Sequence, residues 1–128
     1  MAIRKSHAEW QGGLKDGKGK MKLGSGAFEG KYSFSSRFEE GKGTNPEELI
    51  GAANAGCFSM QLAHLIEEEG YDPKSVKTEA NVKIQKVEGE FGITEIYLKN
   101  KSEVPDIDEG VFQELAQAAK KGCPVSKA

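Results

Sequence analysis

Two thiols carry most of the chemistry this chain could do. Cys57 follows a run of small residues, Gly51-Ala52-Ala53-Asn54-Ala55-Gly56, and Cys123 stands between Gly122 and Pro124. A thiolate is a nucleophile, and two thiols together can cycle between dithiol and disulfide. The pattern around Cys57 predicts a mid-helix position, which denies it the pKa lowering that a helix N-terminus gives. Three and four residues away on that helix lie Ala53, Asn54, Met60 and Gln61, none of them charged. A reactive Cys57 therefore needs a cation from elsewhere in the molecule, and without one it is a packing cysteine. His64 falls on nearly the same face but roughly 10 Å along the axis, too far for a Cys–His dyad. Cys57, Cys123, His7 and His64 match no recognised zinc spacing, so no metal is expected. The Gly- and Lys-rich stretch from Gly12 to Gly26 lacks the order of a phosphate-binding P-loop and reads as hairpin turns with solvated lysines.

The rest of the composition bounds what these thiols can serve. A chain of 128 residues is one domain's worth, and residues 1–128 are read as a single domain. Eighteen basic against 20 acidic side chains, a formal charge of −2, leave no electrostatic footprint for nucleic acid. No apolar run of about 18 residues for a bilayer is evident, so no membrane partner is expected. The start, Met1-Ala2-Ile3-Arg4-Lys5-Ser6-His7, lacks the apolar core of a secretory signal, and a leaderless chain with two cysteines is expected in the cytoplasm. Val, Ile, Leu and Phe make up only roughly a fifth of the chain, near the lower edge for a self-sufficient core. A thin core in a charge-balanced chain predicts apolar surface buried against a second copy.

The elements that must position the thiols read as βββ-α-ββ-α, an α+β pattern of antiparallel sheets packed around a long central helix. Strands are expected over 7–11 and 17–23. A third is expected over 32–38, with Tyr32, Phe34, Ser36 and Phe38 on one face. Thr44 or Asn45 caps a helix with Pro46 at its first position and Glu47 and Glu48 in its first turn; it should run to about Glu69 and stop at Gly70. A hairpin follows, with Val76 to Ile84 going out, Glu88-Gly89-Glu90 turning and Ile93 to Lys99 returning. Each strand is apolar on one face, so the sheet should lie on the central helix with its other face wet. A second helix starts in the segment from Pro105 to Asp108 and stops at Gly122.

The run Gly43-Thr44-Asn45-Pro46-Glu47-Glu48-Leu49-Ile50-Gly51-Ala52-Ala53-Asn54-Ala55-Gly56-Cys57-Phe58-Ser59-Met60 closely resembles the signature of the osmotically inducible protein C and organic hydroperoxide resistance (OsmC/Ohr) family. Gly122-Cys123-Pro124-Val125-Ser126 resembles that family's second cysteine motif, and Ala8 to Gly12 with Arg37-Phe38-Glu39 fit the OsmC branch better. The resemblance covers nearly the whole chain, but this sequence stops where members usually continue into a last strand, which is absent or truncated. It implies an intertwined homodimer with active sites at its interface. It also implies thiol-dependent reduction of organic hydroperoxides, and less readily of hydrogen peroxide, with no cofactor. Cys57 matches the peroxidatic cysteine, Cys123 the resolving one within the same subunit, Arg37 the OsmC-type arginine and Glu47 its acidic partner. An external dithiol, of lipoyl type in the family, would reduce the disulfide. Phe38, Phe58 and Met60 are candidate walls for an organic substrate, each with core packing as its plain alternative.

Helix geometry adds one constraint. Ten residues separate Glu47 from Cys57, about 15 Å on one straight helix, too far for one arginine to pair tightly with both. Either Glu47 has left the helix or the two groups come from different subunits with antiparallel central helices, and the small residues from Gly51 to Gly56 would permit that crossing. Two other functions compete: a non-catalytic protein binding an apolar or acyl ligand at the dimer interface, and a general dithiol–disulfide exchanger, which lacks Cys-x-x-Cys.

Overall fold

An antiparallel meander opens the chain: β1 (Ser6–Gln11), β2 (Lys18–Leu23) and β3 (Glu29–Tyr32), in that order across the sheet. The computed structural model describes residues 1–128 and divides them into two units, Met1–Leu49 and Ile50–Ala128.

In the first unit the register sets Trp10, Gly19 and Tyr32 side by side across three strands. The two rings meet at 5.3 Å over the glycine, where a Cβ would lie 2.5 Å from Tyr32 and 2.6 Å from Trp10. Only glycine allows that approach. The Gly- and Lys-rich segment from Gly12 to Gly26 holds β2 and the hairpin turns on either side of it, as read from sequence.

The third strand stops at Tyr32, and the segment expected to continue it is a helix, α1 (Phe34–Phe38). Ser33 and Ser36 form a reciprocal capping box. The Ser36 backbone N–H donates to Ser33 Oγ at 3.1 Å, and the Ser33 N–H donates to Ser36 Oγ at 2.8 Å. These local bonds satisfy the backbone without a strand partner. Phe34 and Phe38, read as alternate strand positions, are equally spaced for one helix face, and their rings lie 5.1 Å apart.

Helix α2 (Pro46–Glu68) begins in the last residues of the first unit and continues through the second. Asn45 caps it, its Oδ1 accepting from the Glu48 N–H at 2.7 Å, and Gly70 with φ +89° follows its end. By length and composition α2 is apolar enough to cross a membrane, which corrects the sequence reading that no such run exists; its alanines and glycines conceal it. Its Phe58, Leu62 and Ile66 are nevertheless the core of the second unit, together with Ala119.

That core is closed by β4 (Ser75–Val87), β5 (Glu90–Glu103) and α3 (Glu109–Gly122). β4 and β5 pair antiparallel through a two-residue turn at Glu88 and Gly89, both at positive φ, the conformation of a tight hairpin. One face of the hairpin carries Lys77, Glu79, Asn81 and Lys83, exposed. The other carries Val76 and Leu98 against the core, and Thr78, whose hydroxyl meets that of Ser59 in α2 at 2.7 Å. The far end of the hairpin leaves Val87, Phe91, Ile93 and Tyr97 exposed. Asp108 caps α3, and Cys123 both ends α3 and caps a last short helix that the sequence reading did not contain, α4 (Pro124–Lys127). The observed order is therefore βββααββαα, still α+β with antiparallel sheets and a long central helix.

Candidate active site

Within the second unit, α2 carries Cys57 and the α3–α4 junction carries Cys123. Their sulfurs lie 2.7 Å apart in a thiol–thiol hydrogen bond, with both cysteines free. Cys123 is 0% exposed, whereas Cys57 is only half-buried. The junction at Gly122-Cys123-Pro124 is folded inward. The Ser126 N–H donates to Cys123 Sγ at 3.4 Å, and the Ser126 hydroxyl donates to Asn54 Oδ1 on α2 at 2.9 Å.

The two thiols titrate as one system. Cys57 is raised above the ordinary thiol value, first by its bond with Cys123 and then by burial, with the Val125 backbone opposing. At Cys123 burial is the largest influence and pushes upward. The bonds from Cys57, Ser126 and the Val125 backbone outweigh it and bring the thiol below its ordinary value. The bonds that Cys123 accepts favour charge on Cys123 and hold the proton on Cys57, so ionisation of one sulfur opposes ionisation of the other.

In the first unit, Arg37 from α1 meets Glu47 in the first turn of α2. Arg37 Nε donates to both carboxylate oxygens at 3.1 and 3.2 Å, and Nη2 donates to Oε2 at 3.1 Å. The local sequence makes this meeting. Ser36 Oγ donates to the Thr44 carbonyl at 2.7 Å, and Asn45 Nδ2 donates to the Ser36 carbonyl at 3.1 Å, so the loop after α1 folds back onto it. Glu47 is buried, its side chain 8% exposed, while that of Arg37 is 39% exposed and packs over the Phe38 ring at 5.0 Å. A buried carboxylate gripping one edge of a guanidinium fixes the direction of the rest.

The structure thus brings the predicted residues together as two pairs, Cys57 with Cys123 and Arg37 with Glu47. Of the three candidate walls, Phe38 is half-buried beside Arg37 in the first unit, and Phe58 is 5% exposed in the core of the second. Met60 is 79% exposed on the open side of α2. Phe58 also lines a groove of about 450 Å³ with Asn54, Ile96, Leu98, Phe112 and Lys120. Sequence reasoning noted Asn54 only as uncharged and Ser126 only as part of a motif. The available signal was that an asparagine interrupts a run otherwise made of Gly and Ala, although asparagine disfavours helix interiors.

An α+β fold in which a cysteine of the long central helix meets a second cysteine from the C-terminal segment is that of a known class. The OsmC-like protein family matches residues 39–128, and the chain belongs to that family. It is 49% identical over 125 residues to the peroxiredoxin OsmC of Escherichia coli (strain K12), covering 97% of this chain and 87% of that one. It is 37% identical over 86 residues to the organic hydroperoxide resistance protein OhrB of Bacillus subtilis (strain 168), covering 67% and 62%. The crystal structure of B. subtilis OhrB matches with a TM-score of 0.70 at 27% identity over 96% of this chain and 88% of that one. An OsmC-like protein from Vibrio cholerae matches with a TM-score of 0.78 at 15% identity over 99% and 93%, a likeness of fold.

Proposed function

We propose that this chain reduces organic hydroperoxides through Cys57, with Cys123 resolving the oxidised sulfur. As a member of the OsmC-like family it is a cysteine-based peroxidase; the residue roles and the substrate are our reading. The observation that carries them is the sulfur–sulfur contact at 2.7 Å between a half-buried Cys57 and a fully buried Cys123. Access decides which thiol attacks, because a peroxide oxygen must reach the sulfur in line. The Cys57 thiolate attacks the outer peroxide oxygen, the O–O bond breaks, and the alkoxide leaves and takes a proton to become the alcohol. The sulfur, oxidised by two electrons, is then a sulfenic acid. Cys123 attacks that sulfur, the S–S bond forms and water leaves; an external dithiol, lipoyl-type by the family resemblance, returns both thiols.

Arg37, aimed by Glu47, supplies the cation that the thiolate and the peroxide need, and Phe38, Phe58 and Met60 supply apolar walls. Glu47 remains inside α2, ten residues before Cys57. Of the two arrangements that helix geometry allows, this favours the Arg37–Glu47 pair of one subunit serving the thiolate of its partner in a homodimer. The open side of α2, with Ala52, Ala53, Gly56 and Met60 exposed, and the apolar end of the β4–β5 hairpin support a second copy. The working unit is then residues 1–128 as one domain in the cytoplasm. The binding-protein alternative draws on the groove beside Phe58, and in it the thiols stay reduced.

A thiol count with and without tert-butyl hydroperoxide, on the wild type and on Cys57→Ser, tests the proposal. Loss of both thiols in the wild type and retention of Cys123 in the variant are expected. Thiols that survive the peroxide in the wild type would leave the binding reading in place.

A further inference from the structure

Two side-chain bonds, not one, run like rungs from α2 to the C-terminal segment. The first is the sulfur pair. The second is the bond from the Ser126 hydroxyl to Asn54 Oδ1, 2.9 Å long, between residues 72 positions apart. The rungs are matched. Asn54 stands three residues before Cys57 on α2, one turn away on a shared face. Ser126 stands three residues after Cys123, and its backbone N–H donates to the Cys123 sulfur. Asn54 is 6% exposed, so its amide oxygen is a buried acceptor that this hydroxyl satisfies. Mid-helix asparagine is unfavourable by propensity, and every other residue from Gly51 to Gly56 is Gly or Ala.

The two rungs differ in what oxidation does to them. Once Cys57 carries the sulfenic oxygen, the thiol–thiol bond no longer exists, and the segment holding Cys123 has lost one of its two side-chain bonds to α2. The Asn54–Ser126 rung is untouched by that chemistry. Resting on the peroxidase reading above, we propose that Asn54 and Ser126 are positioning residues that clasp the Cys123 segment to α2 during the life of the sulfenic acid, and so set the partition between disulfide and over-oxidation. The competing reactions balance as follows. In resolution, the Cys123 sulfur attacks the Cys57 sulfur, an S–S bond replaces the S–O bond and water departs. In over-oxidation, the sulfenate attacks a second hydroperoxide, takes its outer oxygen to give the sulfinic acid, and releases a second alcohol. Holding Cys123 close raises its effective concentration for the first reaction and leaves the second unchanged.

The test uses the whole chain and two oxidants. Excess tert-butyl hydroperoxide without reductant gives the yields of disulfide and Cys57 sulfinic acid by mass spectrometry. Diamide drives formation of the Cys57–Cys123 bond without any peroxide. Loss of one hydrogen bond of ordinary net strength corresponds to a factor of about five. Ser126→Ala and Asn54→Ala are each expected to slow bond formation by that factor with either oxidant and to raise the sulfinic share. Ser126→Thr, which keeps the hydroxyl, should restore both values, and the double variant should be no slower than either single one. Wild-type rates of bond formation in Ser126→Ala with diamide, or single effects that simply add, would overturn the clasp. Failure of hydroperoxide to oxidise Cys57 in the wild type would overturn the peroxidase reading, while the diamide arm still decides the clasp.

Discussion

Glu47→Gln is the perturbation that asks most of the Arg37–Glu47 pair. The substitution keeps the size of a buried side chain, so cavity and strain terms stay small. A glutamine retains one oxygen for the guanidinium, but its NH₂ now faces Arg37 donors where the second oxygen accepted. Bonds to a charged partner contribute roughly 1.5–3 kcal/mol and neutral ones about 1 kcal/mol. Because the Arg37 side chain is 39% exposed, water replaces part of what is lost, and the expected cost is about 1 kcal/mol of stability. The reverse truncation, Arg37→Ala, strands a carboxylate whose side chain is 8% exposed. Fully buried pairs lose about 3–5 kcal/mol on such a change, and the partial exposure of Arg37 reduces this to about 2 kcal/mol. Denaturant unfolding should therefore rank Arg37→Ala as the more damaging. In stopped-flow measurements with tert-butyl hydroperoxide, Glu47→Gln should lower the rate about tenfold, the equivalent of 1.4 kcal/mol of transition-state stabilisation. A full rate with reduced stability would show that the pair only braces the loop after α1, and a cost for Glu47→Gln above that for Arg37→Ala would refute the burial argument.

Arg37→Lys keeps the charge but loses the fork, and a fall in peroxide rate of at least about tenfold is expected; an unchanged rate would make Arg37 a bystander. Removing Cys123 takes away the largest influence raising Cys57, so Cys123→Ser should move the Cys57 ionisation to lower pH. Removing Cys57 takes away a bond that lowers Cys123 while burial still raises it, so Cys57→Ser should move the Cys123 ionisation to higher pH. Ultraviolet thiolate titration reads both, and shifts of opposite sign would overturn the coupling between the two thiols. Within one chain a Cβ at Gly56 meets nothing within 4 Å. Gly56→Leu or Ala52→Leu should nevertheless weaken a dimer by the roughly 1–3 kcal/mol of overpacking per site, visible as concentration-dependent unfolding and a shift toward monomer. Unchanged size by light scattering with a raised unfolding midpoint would place the dimer interface elsewhere.

Much of the fold was legible because its signals were local. Asn45-Pro46-Glu47-Glu48 starts α2, Glu88-Gly89 turns the hairpin, and alternation marks which face of β4 is wet. Ser33 to Phe38 was misread because Phe34 and Phe38 satisfy both a strand's alternation and a helix's i, i+4 spacing. The reciprocal Ser33–Ser36 bonds decide between them, and a serine pair three apart is a weaker signal in sequence than the alternating aromatic rings. The apolar length of α2 was hidden by residues too small to look hydrophobic. In the candidate site, motifs mark both cysteines, Arg37 and Glu47. Neither the burial of Cys123 nor the Asn54–Ser126 bond was reachable, since each depends on how α4 returns to α2 across most of the sequence.

The sulfur contact also bears on how long the molecule lasts. It joins positions 66 apart, and a covalent bond across such a span removes about 4 kcal/mol of conformational freedom from the unfolded chain. The reduced chain has little to set against that, with Leu62, Ile66 and Cys123 its largest fully buried side chains. An oxidised copy would then resist unfolding and proteolysis far better than a reduced one. On the proposed mechanism, exposure to hydroperoxide would be written into the protein's lifetime as well as its turnover, and whatever dithiol reduced the Cys57–Cys123 bond would also return the chain to its more perishable form.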